Sequence, residues 1–219
     1  MVSDTIRITI LYDNTGSDSR MVADFGFSCL VAAHGKTILF DTGAKADILV
    51  KNMAAMGVDP SSIDIVMISH DHWDHNGGMS LVAGGRAPIY VPDSFATKLP
   101  GLTKISDSCK ISDGIYSTGE LAGIEQSLVV QLGEEVVVVA GCAHSGVREI
   151  LAAARELGRV AVLVGGLHGF DELELLADLD IVCPTHCTRK IAEIALRYPG
   201  KYVAGGAGAV ITWKGGTTM

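Results

Sequence analysis

The chain has 219 residues, 48% of them hydrophobic, which is enough for a domain with a buried core. Its net charge is −8 and its 17 basic residues are scattered, which argues against nucleic acid as a partner because phosphate neutralisation needs clustered Lys and Arg. No stretch reaches the ~18 consecutive apolar residues of a membrane span, so we expect no membrane partner. The N-terminus lacks an apolar signal core and the five cysteines are an odd number, so we expect free thiols and a cytoplasmic location.

Apolar periodicity predicts strands early in the chain and then alternating strands and helices. Strands are predicted at 5–11, 28–33, 36–40, 63–68, 88–91, 128–132, 136–140, 159–164, 181–183, 201–204 and 209–213. Helices are predicted at 44–56, 145–157, 171–179 and 188–197, with a helical turn at 94–99 and irregular strand and loop at 105–117. Ser145 is a candidate N-cap, and Asp171 with Glu174 resembles a capping box. With no linker-like segment, residues 1–219 are predicted to form a single α/β domain.

Six of the seven histidines directly follow the end of a predicted strand. Three of them, His70, His72 and His75, lie in the segment SHDHWDHNGG after the apolar run at 63–68. The other three, His144, His168 and His186, each follow one later strand, whereas His34 lies in a hairpin turn and is expected to be exposed. Side chains at the ends of neighbouring strands converge at one sheet edge, so this distribution indicates a shared site.

Imidazole and carboxylate groups together are typical ligands of zinc and other divalent metals. In an extended turn, alternate residues point the same way, so His70 and His72 can face one metal. Asp74 and His75 then turn to the other side, so one short loop can supply ligands to two adjacent metals.

These motifs together resemble the metallo-β-lactamase superfamily. The resemblance rests on His70-x-His72-x-Asp74-His75, on the preceding FDTG at 40–43, and on His144 and His186 in the order and context of later family motifs. The segments STGEL at 117–121, GCAHSG at 141–146, GGLH at 165–168 and PTHCT at 184–188 further resemble the subfamily of dihydropterin–aminobenzene ribofuranosyl phosphate synthases of methanopterin biosynthesis and related metal-dependent hydrolases.

The resemblance implies a four-layer αββα sandwich and a binuclear metal site. One metal would be held by His70, His72 and His144, and the other by Asp74, His75 and His186. Asp41 would brace the metal loop through hydrogen bonds. The metal expected is zinc, because diiron members tend to have Glu in place of His72; Mn²⁺ or Fe²⁺ remains an alternative.

One position departs from the family pattern. Most binuclear members carry a bridging Asp after the strand at 159–164, where this chain has Gly165-Gly166-Leu167-His168. Imidazole has one free lone pair and cannot bridge two metals as a carboxylate does. We therefore expect His168 to have a catalytic, non-bridging role, and we leave open whether water alone bridges the metals or the second site is weak.

The expected function is hydrolysis of a small phosphorylated substrate by metal-activated water, with Asp74 orienting or deprotonating that water. Ser145 and Arg148, at the start of the predicted helix, are candidates for holding the phosphate. The alternative is a synthase that condenses a dihydropterin methyl diphosphate with an aminobenzene ribofuranosyl phosphate, with Trp73 available to stack on the pterin. A non-enzymatic metal-binding role and a nuclease are further alternatives, and the oligomeric state is left open.

Overall fold

The computed structural model describes residues 5–215, in which two β-sheets pack face to face with helices outside them. The strands are β1 Ile6–Tyr12, β2 Ser28–Ala33, β3 Lys36–Phe40, β4 Ile65–Met67, β5 Ile89–Pro92, β6 Leu102–Ile105, β7 Cys109–Ser112, β8 Ile115–Ser117, β9 Leu128–Leu132, β10 Glu135–Ala140, β11 Arg159–Gly166, β12 Ile181–Thr185 and β13 Val210–Trp213. The helices are α1 Ala46–Ala55, α2 Trp73–Asn76, α3 Val147–Arg155 and α4 Ile191–Arg197, with 3-10 turns at Pro60–Ser62, Met79–Leu81 and Leu173–Leu176.

The first sheet has the order β13-β1-β2-β3-β4-β5-β6 and the second the order β12-β11-β10-β9-β8-β7. Each sheet combines an antiparallel part with a parallel part, which is β3 to β6 in the first sheet and β10 to β12 in the second. Parallel strands end at the same sheet edge, so the loops after β4, β10, β11 and β12 can meet there.

Alternate residues along the inner strands point to opposite faces of their sheet, so the buried apolar residues form three layers. In β10, Val137 and Val139 pack between the two sheets, whereas Val136 and Val138 pack under α3 and α4. A third cluster places Leu49 of α1 against the outer face of the first sheet. The predicted four-layer αββα sandwich of the metallo-β-lactamase fold is therefore confirmed.

Several predicted elements differ in the structure. The predicted helix at 171–179 is only the 3-10 turn Leu173–Leu176, whose buried Leu173 and Leu176 lie three residues apart, the repeat of a 3-10 turn. Glu172, not Asp171, precedes this turn, and no capping hydrogen bond forms. The predicted strand at 201–204 is reduced to one isolated bridge between Val182 and Tyr202.

One loop prediction was wrong and another was right in part. No helical turn forms at 94–99, whereas the segment 105–117, predicted as irregular strand and loop, contains the whole hairpin β7–β8. His34 is only partly exposed, because its Nε2 lies 2.7 Å from the carbonyl oxygen of Gln131 in the other sheet. None of the helices within 5–215 combines the length and apolarity that crossing a membrane requires.

Candidate metal centre

Six predicted ligands converge in two adjacent groups at the edge where the parallel strands end. His70, His72 and His144 form one group, and Asp74, His75 and His186 form the other, with the ligand atoms of each group within 4.8 Å of one another. The loop after β4 supplies four of the six, and the loops after β10 and β12 supply His144 and His186.

The group Asp74, His75 and His186 is buried, and hydrogen bonds fix its two imidazoles. His75 Nδ1 lies 2.7 Å from Asp41 Oδ2, and His186 Nδ1 lies 3.0 Å from Asn14 Oδ1. With acceptors at both Nδ1 atoms, the protons are assigned there and both Nε2 atoms carry bare lone pairs. These two Nε2 atoms face each other at 3.3 Å, and Asp74 Oδ2 lies 3.2 Å from His186 Nε2. These three atoms are electron-pair donors that face one another with no proton between them, and such an arrangement suits a bound cation.

The second group lies closer to the solvent. His70 Nε2 lies 3.0 Å from His72 Nδ1, and His144 Nε2 is buried without any hydrogen-bond partner. A buried ring nitrogen without a partner is costly unless a ligand satisfies it. His72 itself is exposed, so this group opens towards the mouth of the site. The donors of both groups therefore fit the divalent metals that the fold family implies.

Asp41 is linked by hydrogen bonds to a ligand of each group. Its carboxylate accepts hydrogen bonds from Ser69 N at 2.6 Å and from Ser69 Oγ at 2.8 Å, in addition to His75 Nδ1. Ser69 Oγ lies 2.8 Å from His70 Nδ1, so Asp41 orients His75 directly and His70 through Ser69. Burial raises the pKa of Asp41 to about 8, opposed by these hydrogen bonds from Ser69.

Burial is also the largest single influence on the pKa values of the buried ligands. It lowers the pKa of His70 and of His75 below the ordinary histidine range, and the neighbouring histidines lower both further, so both rings are neutral. Burial alone would raise the pKa of Asp74, but the contacts with His186 and His75 outweigh it and lower that pKa to about 2. Neutral imidazoles and an ionised carboxylate are the protonation states that bind metal.

The backbone at the site is strained. Non-glycine residues rarely adopt positive φ, yet Asp41, Ala143, His168 and His186 have φ of 56°, 55°, 44° and 48°. Such strain costs about 1–3 kcal/mol per residue and is typical of functional sites. The positive φ values occur where each loop turns over the sheet edge.

The structure places the remaining predicted site residues differently. His168 is exposed beside His144, with ring centroids 5.0 Å apart, and it belongs to neither ligand group. Ser145 does not cap α3, which begins at Val147 after Gly146, because both its backbone N–H and its hydroxyl donate to Glu125. Arg148 is paired with Glu172 at the surface. Phosphate binding by Ser145 and Arg148 stays a prediction, although Glu125 uses both donors of Ser145 and Arg148 faces the carboxylate of Glu172.

Sequence reasoning missed several residues that support the site. They are Asp13, Asn14, Ser69, Glu125, Cys142 and Cys187. The pair Asp13–Asn14 directly follows β1, so the rule that pointed to the histidines, polar residues after an apolar strand, could have found it. Ser69, Cys142 and Cys187 fit the same rule, because each follows a strand by two residues, and Cys187 also forms a Cys-x3-Cys spacing with Cys183 around His186. Glu125 carries no such signal because its partner Ser145 is distant in sequence.

Comparisons with known proteins agree with this geometry. A family model of the metallo-beta-lactamase superfamily matches residues 21–102. The solved structure of Tm1679, a metal-dependent hydrolase of the beta-lactamase superfamily, aligns with a TM-score of 0.75 and 26% identity over 94% of this chain and 98% of that one.

Two curated relatives carry named activities. The 7,8-dihydropterin-6-methyl-4-(beta-D-ribofuranosyl)-aminobenzene-5'-phosphate synthase of Methanocaldococcus jannaschii is 25% identical over 77% of this chain and 79% of its own length. The ribonuclease TTHA0252 of Thermus thermophilus is 28% identical over 70% of this chain but only 37% of its own length. The matched family model, the αββα fold and these relatives agree in the similarity of this chain to the metallo-β-lactamase superfamily.

Proposed function

We propose that the protein is a binuclear, metal-dependent hydrolase that acts on a small phosphorylated substrate. The observation that carries the proposal is the pair of adjacent ligand groups, each with three protein ligands and one of them open to solvent. Three ligands per metal leave positions free, which is typical of a catalytic rather than a structural site. Bound divalent ions, with zinc expected, would supply an activated water and polarise a phosphoryl oxygen.

Within this proposal, Asp74 is a ligand that orients the attacking group. A carboxylate with a pKa of about 2 is a weak proton acceptor at neutral pH, so orientation suits it better than general base catalysis. His168 stands at the mouth beside His144, where it can donate a proton to a leaving group. A cavity of about 360 Å³ between the loops of His144 and His168 has the size of a small-molecule pocket.

The test combines metal analysis with a substrate panel. Purified protein loaded with Zn²⁺, Mn²⁺ or Fe²⁺ is expected to hold two metals per chain and to hydrolyse at least one small phosphoester. Asp74→Asn, purified in the same way, is the control because a contaminating phosphatase would leave its activity unchanged. One metal or none per chain, or equal activity in wild type and Asp74→Asn, would contradict the proposal. An RNA substrate in the panel tests the nuclease alternative.

A synthase is the second candidate, and one surface feature favours it. Phe25 and Trp73 stack at the mouth with ring centroids 5.8 Å apart, yet they remain 50% and 63% exposed. Two exposed aromatic rings beside ligands can accept a planar ring such as a pterin. The relative that is 25% identical is named as the synthase, which is consistent with this use.

An assay of diphosphate release separates the two candidates. The synthase requires release that depends on the arylamine, whereas a hydrolase cleaves the dihydropterin methyl diphosphate equally fast without it. Equal rates with and without the arylamine would exclude the synthase.

A further inference from the structure

The segment 165–168 lacks the bridging Asp of the family pattern, and other groups occupy the space beside its two glycines. A Cβ built on Gly165 would lie 1.9 Å from the carbonyl oxygen of Ala140, so no side chain fits there. A Cβ built on Gly166 would lie 2.7 Å from the sulfur of Cys187 and 3.3 Å from Cα of Cys142. The thiol of Cys187 and the backbone of Cys142 therefore adjoin Gly166, in the segment where the family pattern has Asp.

The sulfur of Cys142 touches both ligand groups. It is buried and lies 3.1 Å from His75 Nε2. It lies within 4.8 Å of the ligand atoms of His70 and His75, and also within 4.8 Å of those of His186 and Cys187. Among the described cysteines, Cys142 alone has a sulfur grouped with potential ligands of both metals.

The spacing is close to that of ligands on one ion. With Zn–S of about 2.3 Å and Zn–N of about 2.0–2.1 Å, neighbouring ligands of a tetrahedral zinc lie about 3.3–3.6 Å apart. The separation of 3.3 Å between His75 Nε2 and His186 Nε2 falls in this range. Cys142 Sγ lies 3.1 Å from His75 Nε2, about 0.4 Å closer than the ~3.5 Å expected for sulfur and nitrogen on one zinc, so a small outward shift of the thiol brings it to ligand spacing. A thiolate sulfur, unlike an imidazole nitrogen, has several lone pairs and is able to contact two ions.

We propose that Cys142 provides a thiolate ligand to the metal centre, between the two ligand groups. The inference rests on the metal site of the proposed function, but not on its substrate. On binding, the S–H bond of Cys142 is replaced by a sulfur–metal bond and the proton leaves to solvent. The sulfur of Cys187 lies in the same cluster, 3.8 Å from the carbonyl oxygen of Cys142.

X-ray absorption of the zinc-loaded wild-type protein tests the ligand without any substitution. We expect a sulfur scatterer at about 2.3 Å together with nitrogen and oxygen at about 2.0–2.1 Å. A first shell of nitrogen and oxygen alone would overturn the proposal. Because this spectrum does not depend on turnover, failure of the hydrolase assay would leave its result unaffected.

Cobalt substitution then identifies the sulfur. Co²⁺-loaded wild type is expected to show a thiolate-to-cobalt charge-transfer band in the near ultraviolet, and Cys142→Ser is expected to lose it. Cys29→Ala and Cys183→Ala, which replace buried thiols of the apolar core, are matched controls that retain the band. Cys187→Ser is also expected to retain it.

The same variants are used to measure how many protons are released when metal is added. Wild type is expected to release one more proton per chain on metal addition than Cys142→Ser. Loss of the band in Cys187→Ser with retention in Cys142→Ser would overturn the assignment. If Cys142→Ser fails to fold by circular dichroism, retention of the band in the other three variants still assigns it, since Cys109 is the only other thiol and lies outside every ligand group.

Discussion

The group Asp74, His75 and His186 lies inside the protein, whereas the group His70, His72 and His144 faces the mouth of the site. Both imidazoles of the buried group have an acceptor at Nδ1, supplied by Asp41 and Asn14. In the open group, Ser69 contacts His70 Nδ1, whereas His72 Nδ1 faces another ligand of the group, His70 Nε2. The buried group is therefore preorganised by the surrounding structure, and the open group keeps the freedom that substrate access requires.

The largest expected effect comes from removing one ligand of each group. His75→Ala should reduce the metal content from two ions per chain to one and lower hydrolysis by more than ~100-fold, since changes outside the ligand set alone cost 10–100-fold. It should also destabilise the metal-free protein by about 1–3 kcal/mol because Asp41 loses a buried partner.

The matched change in the open group is His72→Ala. It should lose one metal as well, but change the metal-free stability by less than about 0.5 kcal/mol because His72 is exposed. Urea unfolding in the presence of a chelator measures the stability of both variants, and His34→Ala, which removes a histidine outside the site, is the control for metal content. Equal destabilisation by His75→Ala and His72→Ala would contradict the distinction between the two groups.

The next largest effect is expected for Asp41→Asn. The amide keeps the shape and tolerates the φ of 56°, but it offers one acceptor oxygen in place of two. Since His75 and Ser69 both depend on that carboxylate, metal affinity should fall about 10–100-fold. Competition with a chromogenic chelator measures the affinity, and an unchanged value would show that Asp41 does not orient the ligands.

A smaller effect is expected for Asn14→Ala. Asn14 Oδ1 accepts a hydrogen bond from His186 Nδ1, and Asn14 Nδ2 donates one to the carbonyl oxygen of His186 at 3.1 Å. Asn14 is exposed, so water can replace part of these contacts, and we expect a loss of metal affinity near the lower, ~10-fold end. Asn14→Asp is the comparison variant: it keeps the acceptor and should retain most of the affinity. A larger loss in Asn14→Asp than in Asn14→Ala would contradict this role.

The smallest effect is expected at the aromatic mouth. Trp73→Ala should leave metal content and unfolding unchanged because the ring is 63% exposed. If the substrate carries a planar ring, its KM should rise about 2- to 10-fold at similar kcat, which corresponds to the ~0.5–1.5 kcal/mol of an aromatic pair. Steady-state kinetics on substrates with and without a ring measure this, and an equal rise for both would argue against stacking.

Much of the fold was predictable because apolar periodicity is a local signal. Strands β2, β3 and β9 match their predicted bounds, and the long amphipathic segments of α1 and α3 were found within a few residues. The errors fall where short segments take their conformation from distant partners. Ser145 fails as an N-cap because it donates to Glu125, and the leucines of 171–179 reach the core from a single 3-10 turn, Leu173–Leu176.

The sequence by itself determined that six histidines and Asp74 follow strand ends, because each lies after an apolar run that is read locally. The resemblance to the metallo-β-lactamase superfamily then singled out five of these histidines and Asp74 as the candidate metal ligands. Only the tertiary structure decided which ligands are buried and how their rings are oriented, since Asn14 meets His186 across 172 residues and Asp41 meets His75 across 34. It likewise brought Cys142 and Cys187 into the gap beside Gly166. Spacing along the chain carries no information about contacts that form only when two sheets pack together.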